Sequence, residues 1–108
     1  MRCGETDDPR ETRVPALLIR HKVTNFDAWR QVFSDETATR RANGARGGRI
    51  FRNHADPDET WVLLEWDDLE RAHLYVRSDD LIEALVRAGV ADHPDYWYLE
   101  ETLSLIHI

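Results

Sequence analysis

His21, Tyr75, Trp66 and Trp29 are the residues of this chain whose types could act together on a small molecule. A neutral imidazole can serve as a general base near neutral pH with modest tuning. A tyrosine hydroxyl can donate a hydrogen bond to an enolate or phenolate oxygen as charge develops there. An indole offers an aromatic ring a flat surface to stack on. Such a set can take an acidic proton at His21, hold the resulting oxyanion at Tyr75 and stack a flat ring on Trp66. The same residue types also have plain structural uses. A His on a strand is often a hydrogen-bonded core residue, a Tyr can sit in a core with its hydroxyl at the rim, and Trp packs cores and dimer seams.

These residues need elements to hold them. Residues 1–13, MRCGETDDPRETR, are polar and aperiodic and read as a disordered leader. VPALLIRHKV (14–23) is a strand carrying His21 near its end. Thr24 or Asn25 can cap a helix in which Phe26, Trp29, Phe33 and Thr37 share a face, closing at Asn43-Gly44. GARGG (44–48) reads as a cap and turn before the strand RIFRNH (49–54). ADPDE (55–59) is a turn into TWVLLEW (60–66), so the two strands make a hairpin. Asp67 and Glu70 have capping-box spacing for the helix bearing Tyr75, and Ser78-Asp79-Asp80 starts a second segment that Gly89 closes. DYWYLEETL (95–103) is the last strand, and 104–108 form an apolar tail.

The order β-α-β-β-α-β over 14–103 is an α+β, ferredoxin-like pattern with one antiparallel sheet and the helices on one face. ALLI, WVLLEW and YWYL are apolar on successive residues, which a sheet with one wet face does not need. A second copy covering the sheet face, in a closed homodimer, answers that excess. Arg20 and Arg52 lie in strands, where Glu65 and Glu100 would be their partners.

Composition narrows the function classes. Asp and Glu outnumber Lys and Arg 21 to 14, and the net charge of −7 repels phosphate backbones, so no nucleic acid is expected. No apolar run is long enough to span a membrane. The single cysteine, Cys3, fits a reducing, cytoplasmic setting. His, Cys and carboxylates have no zinc-like spacing, so no metal is expected.

FDAWRQVF, GARGGRIFRN, the DPDE turn, LLEWDDLERA and SDDLIEALVRAGV resemble the dimeric α+β-barrel superfamily of antibiotic biosynthesis monooxygenase-like proteins, together with small bacterial proteins assigned as cyclases. The resemblance spans about residues 16 to 102. It implies a ferredoxin-like chain pairing into a dimeric barrel. It also implies a cofactor-independent monooxygenase or cyclase acting on a small aromatic or polyketide-like substrate, since the carbanion can meet dioxygen or close a ring. Many such proteins carry a Trp at the end of the third strand, a His nine residues on and a Ser three further. Trp66 and Ser78 match, which adds Ser78 to the substrate-binding set beside Trp66 and Trp29, but Tyr75 stands at the His position and His73 lies two residues earlier. In the haem-degrading relatives an Asn, a Trp and a His fall on His21, Tyr75 and Leu85, so the axial ligand is missing and no cofactor is expected. The alternative is a non-catalytic dimeric module that binds a small hydrophobic ligand or serves as a scaffold.

Overall fold

The protein is described by a computed structural model covering residues 14–90 and 93–102. The leader and the apolar tail lie outside the described residues. β1 (Pro15–Lys22) is followed by α1 (Phe26–Asp35), α2 (Thr37–Asn43), β2 (Ala45–Arg52), β3 (Glu59–Trp66), α3 (Leu69–Val76), α4 (Asp79–Ala88) and β4 (Asp95–Glu100). The strands form one antiparallel sheet in the order β2-β3-β1-β4, the ferredoxin-like arrangement expected.

Each helical connection divides in two, giving β-α-α-β-β-α-α-β. The break at Ser78 is the expected one, since its side chain accepts from the Leu81 N–H at 3.2 Å and caps α4. The break at Glu36 was not expected. There the Thr37 hydroxyl donates to the Ser34 carbonyl at 2.8 Å, so a side chain competes for a backbone acceptor that a continuous helix would use. Asn25 caps α1, its Oδ1 accepting from Ala28 N–H at 3.1 Å.

Two other expectations shift. The capping residue of α3 is Asp68, not Asp67, because the Asp67 N–H is held by the Gly44 carbonyl at 2.9 Å and the helix begins one residue later. β2 begins at Ala45, inside the GARGG run, and ends at Arg52. Gly44 does close α2, at φ 115, but the run beyond it is paired strand with a bulge between Ala45 and Gly47. At Gly48 any Cβ would lie 1.9 Å from the Leu63 carbonyl oxygen, so this strand approaches its neighbour where only glycine fits.

Alternation along the two central strands separates the faces of the sheet. Leu17, Ile19 and His21 of β1 and Thr60, Val62, Leu64 and Trp66 of β3 are buried beneath the helices. Ala72, Tyr75, Leu81 and Ala88 close the core from the helix side with Trp29. The intervening positions, with Leu18, Trp61, Leu63, Phe51, Trp97 and Leu99, form the outer face, where Trp97 and Phe51 are exposed and the Trp61 and Trp97 rings stack at 5.7 Å. The strand arginines on the sheet find partners other than Glu65 and Glu100. Arg20 pairs with Glu59 and with Asp95, both at 2.6 Å, because the register sets Asp95 directly across from it. Arg52 donates to the Pro57 carbonyl at 3.1 Å and rests over the Phe26 ring.

Candidate active site

His21 is placed by strand alternation, which turns it from β1 toward the helices beside Thr60 of β3. It is 5% exposed, and its ring meets Trp29 edge-on at 5.4 Å. Neither Nδ1 nor Nε2 has a hydrogen-bond partner among the described residues. A neutral imidazole has one N–H and one lone pair, so here a donor and an acceptor are both left unanswered. Burial alone pulls its pKa from 6.5 to about 4, and at neutral pH it is uncharged. The Thr60 hydroxyl and the Trp66 indole N–H are likewise buried without partners among the described residues. Buried polar groups are nearly always satisfied, so four unpartnered polar atoms on three residues beneath one sheet mark this region as unlike an ordinary core.

Tyr75 comes from α3 and is buried against Trp66, ring to ring at 5.3 Å. Burial raises the Tyr75 pKa, and the nearby Arg40 guanidinium opposes that rise. Arg40 comes from α2 and is only 7% exposed. It donates to the Phe33 carbonyl at 2.7 Å and to the Thr37 hydroxyl at 3.2 Å, and its guanidinium lies 3.6 Å from the Phe33 ring centroid. Burial lowers its pKa, with Tyr75 and Glu36 acting in the other direction, and an arginine in this setting stays protonated. Glu36 itself is bound by Arg87 of α4 at 2.7 Å, tying the α1–α2 corner to the last helix.

These side chains meet in a cleft between the helices and the sheet. His21, Trp29, Arg40, Tyr75 and Tyr96 line it with Ile19, Leu64 and Leu85, and its volume is about 40 Å³. That holds a water or two and is well below the ~300 Å³ at which pockets for drug-sized ligands begin. Burial pushes the Tyr96 phenol up to about 12, so it is a neutral hydrogen-bond donor there.

Of the residues singled out in sequence, the structure brings His21, Tyr75 and Trp29 together. Trp66 is 0% exposed and lies behind Tyr75, outside the cleft lining, so it buttresses the tyrosine and presents no face for a ring to stack on. Ser78 is also outside it, with its hydroxyl donating to the Tyr75 carbonyl at 2.7 Å while capping α4. Ser78 thereby holds the end of the helix that carries Tyr75. His73 stacks on Tyr98 at 3.7 Å, away from the cleft. Arg40 and Tyr96 were missed in sequence. Arg40 sits in TATRRAN beside Arg41, where two arginines in a last helical turn read as partners for the helix dipole. Only the fold of α2 against the sheet reveals that one of the two is buried.

Among the described residues no three His, Cys, Asp or Glu side chains gather as metal ligands, and no helix is long and apolar enough to cross a membrane.

No protein-family model matches the chain, and no curated protein matches it in sequence. Solved structures do match its fold. A protein of Bordetella bronchiseptica provisionally assigned as an antibiotic biosynthesis monooxygenase aligns with TM-score 0.72 at 14% identity, over 83% of this chain and 98% of its own. A Caulobacter crescentus protein of the same assignment aligns with TM-score 0.65 at 19% identity, over 83% and 91%. SnoaB of Streptomyces nogalater, a cofactor-independent oxygenase, aligns with TM-score 0.68 at 9% identity, over 88% and 98%. At these identities the likeness is one of fold: the chain has the architecture of antibiotic biosynthesis monooxygenase-like proteins.

Proposed function

We propose that this protein is a small enzyme of the cofactor-independent oxygenase or cyclase kind, acting on an aromatic or polyketide-like molecule in the His21–Tyr75 cleft. The observation that carries the reading is the meeting, in one apolar cleft, of an unpartnered neutral imidazole with a tyrosine–arginine pair. His21 accepts the acidic ring proton, and the electron pair left behind delocalises onto a ring oxygen held by the Tyr75 hydroxyl and the Arg40 guanidinium. A base whose conjugate acid titrates at about 4 is weak on its own. The oxyanion formed beside it supplies the counter-charge that desolvation had denied the imidazolium, so its basicity rises as the proton moves. The carbanion then adds dioxygen or closes on a carbonyl of the same molecule. The shared architecture with SnoaB supports the oxygenase branch.

A cleft of about 40 Å³ has to widen before such a substrate enters, by movement of α1 and α4 away from the sheet. The same volume favours a second reading, a non-catalytic scaffold whose interior is merely packed. An anthrone, which has an acidic ring methylene, separates the two when oxygen uptake and product are followed. Under the enzyme reading His21→Ala slows turnover by about 100-fold or more and Tyr75→Phe by about 10-fold or more, with the fold intact by circular dichroism. Turnover that ignores both substitutions removes the assigned roles, and absence of anthrone binding leaves the scaffold.

The assembly we infer is a homodimer through the outer sheet face. Leu18, Trp61, Leu63, Phe51, Trp97 and Leu99 make that face apolar and partly exposed, and no helix of the described chain covers it. A second copy supplies the same surface in self-complementary form.

A further inference from the structure

Arg40 is buried, yet no Asp or Glu oxygen lies within ion-pairing distance of it among the described residues. A buried cation without a directly paired counter-ion is costly, and its close partners here are neutral: the Phe33 carbonyl, the Thr37 hydroxyl, the Phe33 ring face and the nearby Tyr75 phenol, with Glu36 acting on it only from beyond ion-pairing distance. The guanidinium has five donors, and these contacts use two of them. Donors therefore remain on a charge that no carboxylate pairs directly among the described residues.

A second cavity explains where an anion would sit. It lies between α2 and β2, measures about 190 Å³, and shares Phe33, Arg40 and Leu64 with the His21 cleft, so these three form the wall between the two. Arg41 and Thr37 line it from α2, and Ile50 lines it from β2. No carboxylate lines it, on a chain whose net charge is −7. Gly47 and Gly48 form part of its wall, next to the bulge in the β2–β3 pairing. Arg49 also borders it, but the register sets Arg49 opposite Leu63 on the outer face, so it contributes backbone and field and no aimed donor. The remaining lining is apolar, with Phe33, Ile50 and Leu64 along one side. A bare inorganic ion would leave that apolar wall unused, whereas an amphipathic acid satisfies both parts.

We propose that this second cavity binds an organic carboxylate carried on an aromatic or aliphatic body, with Arg40 and Arg41 on the carboxylate and Phe33, Ile50 and Leu64 on the body. The cavity shares Arg40 with the His21 cleft but lies on the other side of it, and its occupancy does not require that cleft to turn over a substrate.

The test is calorimetric titration of the full chain with 2-naphthoate and with its uncharged counterpart 2-naphthamide. The acid is expected to bind about tenfold more tightly than the amide, as charge-assisted contacts imply. Arg41→Gln, at an exposed helix position, weakens naphthoate about tenfold while changing naphthamide less than twofold, and Ile50→Glu, which removes apolar wall and sets a carboxylate in the cavity, weakens both, naphthoate the more. His21→Ala leaves naphthoate affinity unchanged, so failure of the catalytic reading and failure of this one are told apart. Equal binding of acid and amide, naphthoate binding that ignores Arg41→Gln and Ile50→Glu, or the absence of naphthoate binding at millimolar concentration overturns the proposal. Displacement of naphthoate by an equal concentration of inorganic phosphate overturns it too, since the apolar wall would then add nothing.

Discussion

The two faces of the sheet handle polar groups in opposite ways. On the outer face Arg20 is held by Glu59 and Asp95, and Lys22 by Asp56, each at 2.6 Å, although all of these side chains except the buried Glu59 are partly solvated and water could have served them. On the inner face, where water is excluded and pairing matters more, His21, Thr60 and Trp66 each keep a polar atom without a partner among the described residues. Stability alone would distribute the pairs the other way, because an unmade hydrogen bond is expensive only when buried. The outer face follows the logic of a surface that stays folded and soluble while offering apolar area. The inner face retains polar atoms at a cost, which suits a site that some other molecule completes.

The largest effect should come from putting a charge on the outer face. Trp61→Glu removes the Trp61–Trp97 stack and sets a carboxylate amid the apolar patch. We expect the dimer to be lost, read as a halving of mass by light scattering, while the helix signal in circular dichroism persists. A wild-type chain already monomeric at micromolar concentration would undo the assembly and the contrast built on it.

Acid should break the inner face next. The His21 pKa falls from 6.5 in an ordinary setting to about 4 here, so below pH 6.5 the unfolded chain binds the proton that the folded chain refuses. The stability present above pH 6.5 is lost as pH falls toward 4, by about 3 kcal/mol at most. His21→Leu should flatten that part of the denaturation-against-pH curve. The outer carboxylates act at lower pH: Arg20 holds Glu59 below its ordinary pKa and Lys22 holds Asp56 below its own, and that stability fades only as pH falls through those depressed values. A curve unchanged by His21→Leu would mean the imidazole is solvated in solution.

The smallest effect sharpens the link between α4 and the cleft. Ser78→Ala removes the cap at Leu81 and the hydroxyl bond to the Tyr75 carbonyl. A loss of about 1 kcal/mol is expected by chemical denaturation. If the serine only caps, affinity for anthrone stays at the wild-type value; if it also steadies Tyr75, affinity falls with it.

Residue order alone determined the order of the elements, the hairpin, a helix start at Thr24 or Asn25 and another at Ser78, because periodicity and capping chemistry are local and a few side chains decide them. It also determined that both sheet faces are apolar, since ALLI, WVLLEW and YWYL carry apolar side chains on successive residues. It could not place Trp66 behind Tyr75, pair Arg20 with Glu59 and Asp95, or bury Arg40 while leaving Arg41 exposed. Those outcomes depend on register across strands and on the angle at which α2 meets the sheet, which join residues far apart in the chain. Whether two aromatic rings leave a void or fill it is a matter of ångströms in three dimensions, and that was decided only when the helices closed on the sheet.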